Sequence, residues 1–165
     1  QMVAHARRDH PHEACGQLVG AEGTDRPQRY IPMTNVEAAE KRSDYAFDSR
    51  EQLRVHRECE ERGEEPVVVF HSHTRVPRRP RTSTGLPEAY PSDKDIEYMA
   101  LQPGVHFAIV ALPEPDAEYD LRSYLLVDGE VVRDDVQVVG AALPATSTES
   151  YMFAHTGADD VPDRS

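Results

Sequence analysis

Apolar positions in this chain fall into short runs with period-two spacing, interrupted by two stretches of helical spacing. Cys15 to Ala21 and Gln28 to Thr34 read as strands joined by the polar turn Glu22-Gly23-Thr24-Asp25. Pro66-Val67-Val68-Val69-Phe70 is short, β-branched and uncharged, the pattern of a buried strand running over 66–72. Val105 to Leu112, Tyr119 to Val127 and Val131 to Val139 are the last strands, with Asp128-Gly129 as a hairpin turn. Gln1 to His10 reads as a helix ended by Pro11. Tyr45-Ala46-Phe47 reads as a short strand entering the capping sequence Asp48-Ser49-Arg50-Glu51. The helix that follows carries Leu53, Val55, His56 and Cys59 in a rough amphipathic pattern and stops at Gly63. A further helix spans 93–101. Helices interleaved with strands of both neighbouring and distant pairing predict an α/β fold, a mixed sheet flanked by helices in a single domain over residues 1–140. Residues 141–165 lose the pattern and read as a linker and tail, in which Tyr151-Met152-Phe153 is an apolar cluster that either stays loose or docks on this domain or a second copy.

The chemistry concentrates between residues 71 and 95. His71-Ser72-His73 closes the buried strand, and alternation points His71 and His73 to one face with Ser72 to the other. Two imidazoles at a strand end and one nearby carboxylate supply three ligands and leave a fourth position for water. That is the composition of a catalytic zinc rather than a structural one. Ser92 and Asp95 open the helix at 93–101. Residues three apart share a helix face, so both can address one site, with Asp93 as the rival carboxylate. Taken alone, each piece has an ordinary reading: rim histidines at a strand end, and a capping box in Ser92-Asp93-Lys94-Asp95.

A third piece, Pro11-His12-Glu13-Ala14-Cys15-Gly16, places a glutamate just before the first strand. Glu13, then His71-Ser72-His73, then Ser92-Asp93-Lys94-Asp95 together resemble the signature of the JAMM (MPN-plus) metalloproteases. Glu-Ala-Cys-Gly before the first strand and Ala89-Tyr90-Pro91-Ser92 before the helix are most similar to the small bacterial branch that contains the actinobacterial sulfur-carrier-protein–cysteine peptidases. The resemblance covers roughly residues 1 to 140. It implies a JAMM/MPN-like (cytidine-deaminase-like) fold, Zn2+ held by His71, His73 and Asp95, Glu13 as the group that moves the proton of the attacking water, and Ser92 as a donor to the oxyanion. It also implies hydrolysis after the C-terminal glycine of a small ubiquitin-like or sulfur-carrier protein ending in Gly-Gly, with cysteine as a candidate leaving group. Two alternatives stand beside it: a general isopeptidase acting on target lysines, and a metal-free MPN-type binding scaffold. Residues 74–91 are longer than the usual family spacing of seven, and an insertion of about 75–85, rich in arginine, is the natural surplus. The family also implies a short strand upstream of Gln1.

Composition trims the remaining options. A net charge of -12 argues against general nucleic-acid binding, and no apolar run reaches the length of a membrane span. Two cysteines, Cys15 and Cys59, are too few for a disulfide framework and suit a cytoplasmic protein. Cys15 is also a rival nucleophile, though its strand context favours a packed residue. His5, His10, His12, His56, His106 and His155 are expected on the surface. The oligomeric state is open between monomer and homodimer.

Overall fold

In a computed structural model, the described residues are 1–41, 44–74, 88–139 and 150–154. They build a sheet of seven strands: β1 (Cys15–Ala21), β2 (Arg29–Met33), β3 (Glu64–His73), β4 (His106–Ala111), β5 (Asp120–Val127), β6 (Glu130–Val139) and β7 (Ser150–Ala154). Their order is β2-β1-β3-β4-β5-β6-β7. Only β3 and β4 run parallel. That pairing requires a crossover, and α3 (Asp93–Ala100) lies in the connection. The other two helices are α1 (Met2–Asp9) and α2 (Ser49–Arg62).

Strand alternation sorts the core into two faces. Leu18, Val68, Phe70, Ala108 and Val110 meet Met2 and Ala6 of α1 on one side. On the other, Cys15, Val19, Ile31 and Met33 meet Val55 and Cys59 of α2, while Val69, Phe107, Ile109 and Tyr124 meet Met99 of α3. His71 and His73 follow Val69 at two-residue steps, so the fold delivers both to the face covered by α2 and α3.

Local chemistry accounts for the element ends. Asp48 caps α2 by accepting from the amides of Arg50 and Glu51, and Gly63 ends that helix in the left-handed region at φ 61°. Asp128 and Gly129 both take positive φ, as a tight hairpin between β5 and β6 needs. Gly16 has a different reason to be glycine: an added Cβ would lie 2.7 Å from the Ile31 carbonyl oxygen and 3.0 Å from the Tyr30 ring.

Two expectations change. Tyr45-Ala46-Phe47 is not a strand; Phe47 makes a single bridge to Asn35, because the Asp48 cap turns the chain into α2 at once. His5 and His106 are buried, at 4% and 5% exposure. His5 lies on the inner side of α1 and bonds to Tyr30 and Asp9, while His106 opens a fully buried strand and bonds Asp134 at 2.7 Å. Within the stretch read as a tail, Ser150–Ala154 forms β7, antiparallel to β6. The arginine-rich insertion of about 75–85 and His155 lie outside the described residues. No helix among the described residues is long and apolar enough to cross a membrane.

Gly16→Ala is expected to destabilise the fold by about 2 kcal/mol or more, since backbone on one side and a packed ring on the other leave no room to give. The midpoint of urea unfolding measures it, and an unchanged midpoint would refute the close approach.

Candidate metal centre

β1 and β3 bring the three motifs together. They pair antiparallel with Cys15 opposite His71, and the pairing continues one step past the start of β1. There the Ser72 amide donates to the Ala14 carbonyl at 3.0 Å, and the Ala14 amide donates to the Ser72 hydroxyl at 2.9 Å. The serine of the His-Ser-His sequence, which points to the opposite face of the sheet, thus ties down the residue next to Glu13. Glu13 is placed beside the histidines from 58 positions away in the chain, the separation of the Ala14–Ser72 contact. The Ser72 side chain is fully buried, so these bonds form without competition from water.

Ser92 and Asp95 complete a capping box at the start of α3. The Ser92 hydroxyl accepts from the Asp95 amide at 3.2 Å, and the Asp95 carboxylate accepts from the Ser92 amide at 2.7 Å. The Ser92 hydroxyl also donates to Asp95 Oδ2, with the two oxygens 2.7 Å apart. These contacts orient the carboxylate toward the sheet. Asp95 Oδ1 lies 3.3 Å from His71 Nε2 and Oδ2 lies 3.4 Å from His73 Nε2, while the two Nε2 atoms are 3.0 Å apart. Asp93, the rival carboxylate, is exposed and outside this cluster.

The cluster has the dimensions of a metal site. Ligand atoms about 2.0–2.1 Å from a tetrahedral ion are separated by about 3.3 Å; here the two Nε2 atoms are 3.0 Å apart, and each faces an Asp95 oxygen of its own at 3.3 or 3.4 Å. Two nitrogens and a carboxylate oxygen suit a first-row divalent cation. His73 Nδ1 donates to the Glu88 carbonyl at 2.7 Å, which leaves Nε2 as the free lone pair in the neutral ring. His71 is held differently. Its Nδ1 is buried without a hydrogen-bond partner, and its ring stacks on Tyr45 with centroids 4.5 Å apart.

Burial and charge set the protonation pattern. Burial pushes the His71 imidazole down, against the pull of Asp95. Burial acts the same way on His73, but the Asp95 hydrogen bond and the Glu13 charge outweigh it and raise that ring. Asp95 is held well below the usual carboxylate range: burial opposes this, and the two histidines overcome it. Glu13 is pushed up to about 8, chiefly by burial and then by the charges of Asp95 and Asp44, with His73 and Lys94 pulling the other way. Cys15 is pushed up to about 12 by burial, so at neutral pH it is a thiol and not a nucleophile.

Of the residues singled out by sequence, His71, His73 and Asp95 form one cluster, Glu13 is coupled to it, and Ser92 supports it through Asp95. Tyr45 and the Glu88 carbonyl were missed. A tyrosine with no motif around it and a main-chain oxygen carry no sequence signal; each is recruited by the fold.

The chain has recognisable relatives. A family model of prokaryotic homologues of the JAB domain matches residues 1–81. Proteins of Mycobacterium tuberculosis and Mycobacterium bovis named CysO-cysteine peptidase are 49% identical over 138 residues, 84% of this chain and 84% of theirs. Among solved structures, a Desulfitobacterium hafniense protein has a TM-score of 0.60 at 29% identity, covering 80% of this chain and 82% of its own. A Salinibacter ruber protein has a TM-score of 0.55 at 27% identity, covering 94% of each chain. The 49% identity over most of the chain, with the family model matching its first half, defines a JAB/MPN-type domain. This chain belongs to the JAB/MPN (JAMM) family and is similar to its actinobacterial peptidase members.

Two outcomes are expected. Cys15 and Cys59, both buried, should resist thiol reagents in the native protein at pH 8 and react fully in denaturant; rapid native labelling of Cys15 would restore the thiol mechanism. The second concerns Glu13 in metal-stripped protein. Its folded value of about 8 lies above the ordinary 4.5, so between those values the native state holds a proton that the unfolded state has lost. This group therefore lowers stability as pH rises through that window. Glu13→Gln should add almost nothing at pH 4 and about 3 kcal/mol at pH 7 in urea unfolding. A gain independent of pH would refute the buried, protonated carboxyl.

Proposed function

We propose that this chain is a zinc-dependent peptidase that cleaves after the C-terminal glycine of a small ubiquitin-like or sulfur-carrier protein and releases cysteine. The observation that carries the reading is the buried His71–His73–Asp95 cluster with Glu13 beside it. The naming of the 49% identical mycobacterial relatives supports the choice of substrate and leaving group. A binding scaffold has no use for a carboxyl buried next to a metal-sized triangle of donors, which favours the enzyme.

His71 Nε2, His73 Nε2 and one Asp95 oxygen would hold the ion. Bound there, zinc supplies Lewis acidity toward the scissile carbonyl and acidifies the attacking water. Glu13 accepts the proton of that water at its carboxylate and returns it to the leaving amine. Near a dication the charged form of Glu13 is favoured, which brings its high value back toward the range of a working base. Asp95, kept ionised by the histidines, balances part of the cation's charge. Ser92 has one hydroxyl proton, and Asp95 holds it here; turning it to the substrate oxygen would make Ser92 a donor to the oxyanion. His73 is the more exposed of the two ring ligands, 17% against 0% for His71, which makes its side the approach for substrate.

The purified chain should carry about one zinc, lost in His71→Ala, His73→Ala and Asp95→Ala and kept in Asp93→Ala. Glu13→Gln should keep zinc and lose most turnover on a carrier–cysteine fusion. Ser92→Ala should lose turnover by roughly a hundredfold. Elemental analysis beside release of free cysteine reads all of these. Zinc retained in Asp95→Ala, or full turnover in Glu13→Gln, would overturn the assignment.

A further inference from the structure

One side chain outside the metal cluster ties its two halves together. Asn35 stands between β2 and the 3-10 turn Val36–Ala39, and all four of its amide positions are used. Its Nδ2 donates to the Glu13 carbonyl at 2.7 Å and to the Asp44 carbonyl at 3.0 Å. Its Oδ1 accepts from the Glu37 amide at 3.0 Å and from the Ala46 amide at 3.2 Å. An asparagine side chain has two N–H donors and two acceptor lone pairs, so this one is saturated. A flipped amide would set NH2 against two N–H groups and oxygen against two carbonyls, so the network admits one orientation.

The partners are not arbitrary. The Glu13 carbonyl belongs to the residue that faces the cluster, and the next residue is pinned to Ser72. The Asp44 carbonyl and the Ala46 amide flank Tyr45, whose ring is the stacking surface of His71. His71 needs that surface, because its Nδ1 is buried with no hydrogen bond to fix the ring. The main-chain contacts Val36 N–H to Ala46 O at 3.0 Å and the Asn35–Phe47 bridge hold the same two segments in register.

Resting on the metallopeptidase reading, we propose that Asn35 is a positioning residue for both the proton-transferring Glu13 and the metal-binding His71, the latter through Tyr45. No other side chain of its size supplies both functions. Aspartate can accept from Glu37 and Ala46 but cannot donate to Glu13 and Asp44, and alanine does neither.

The test uses the full chain loaded with cobalt(II), whose visible absorption reports coordination geometry, beside turnover of a carrier–cysteine fusion. Asn35→Ala should weaken cobalt binding about tenfold to a hundredfold in competition with a chelator, alter the cobalt spectrum, and lower kcat more than it raises KM. Asn35→Asp retains the acceptor half, so it should stay folded and keep the wild-type cobalt spectrum while still losing kcat. Arg29→Gln is the control: it removes bonds to Glu58 and Glu64, away from the cluster, and should cost stability without changing spectrum or kcat. If Asn35→Ala does not fold, the Asn35→Asp comparison alone decides. Wild-type kcat in Asn35→Asp, or in a folded Asn35→Ala, would overturn the inference, as would Arg29→Gln reproducing the spectral change. A wild-type chain that binds no cobalt would instead overturn the metallopeptidase reading.

Discussion

The site depends on one stretch of antiparallel pairing, where Ala14 and Ser72 exchange two hydrogen bonds beyond the end of the β1–β3 ladder. Side chains on a strand alternate, so sliding this register by one residue would turn His71 and His73 to the α1 face and Glu13 away from them. The two hydrogen bonds, one to the buried Ser72 hydroxyl and one from the Ser72 amide, make such a slip costly, since each displaced group would be left buried and unpaired. Ser72 faces away from the His71–His73–Asp95 cluster and still determines where its parts meet.

Around that join, the cluster is built from groups that burial would otherwise expel. Asp95 remains ionised because two imidazoles and the start of α3 surround it, and α3 begins there because Ser92 and Asp95 cap each other. Glu13 has less compensation, and its carboxyl rises to about 8. A peptidase gains from this arrangement: a carboxyl reluctant to ionise by itself becomes responsive to any charge placed next to it. Stability is given up at the same point, as is common where a fold holds a group for chemistry rather than for packing.

The histidines are fixed by unlike means. His73 uses a hydrogen bond to a main-chain oxygen at Glu88, and His71 uses the face of Tyr45. Tyr45 in turn is placed by the segment that Asn35 clasps. The face that carries the two histidines is therefore supported from β2 and the 3-10 turn as well as from β3 and α3, and the support crosses the sheet from its edge to its centre.

Much of this was legible in the residues alone. Period-two runs located β1 to β6, the caps at Asp48 and Ser92 located two helix starts, and the three spaced motifs carried the five candidate residues, because these signals are local in the chain. Burial was less legible: His5 and His106 read as surface residues, and only their partners Tyr30, Asp9 and Asp134, brought near by packing, make them suitable for an interior. Helix spacing and resemblance favour Asp95 over Asp93, and Asp95 is the one that lies with the two histidines. Tyr45, Glu88 and Asn35 could not be read at all. Their roles come from contacts between segments distant in sequence, and a stacking face, a main-chain oxygen and an amide clasp have no sequence pattern of their own. The sequence determined which groups are present and which local elements bear them; the tertiary structure decided which groups share a low-dielectric pocket, and that sharing sets their charge and orientation.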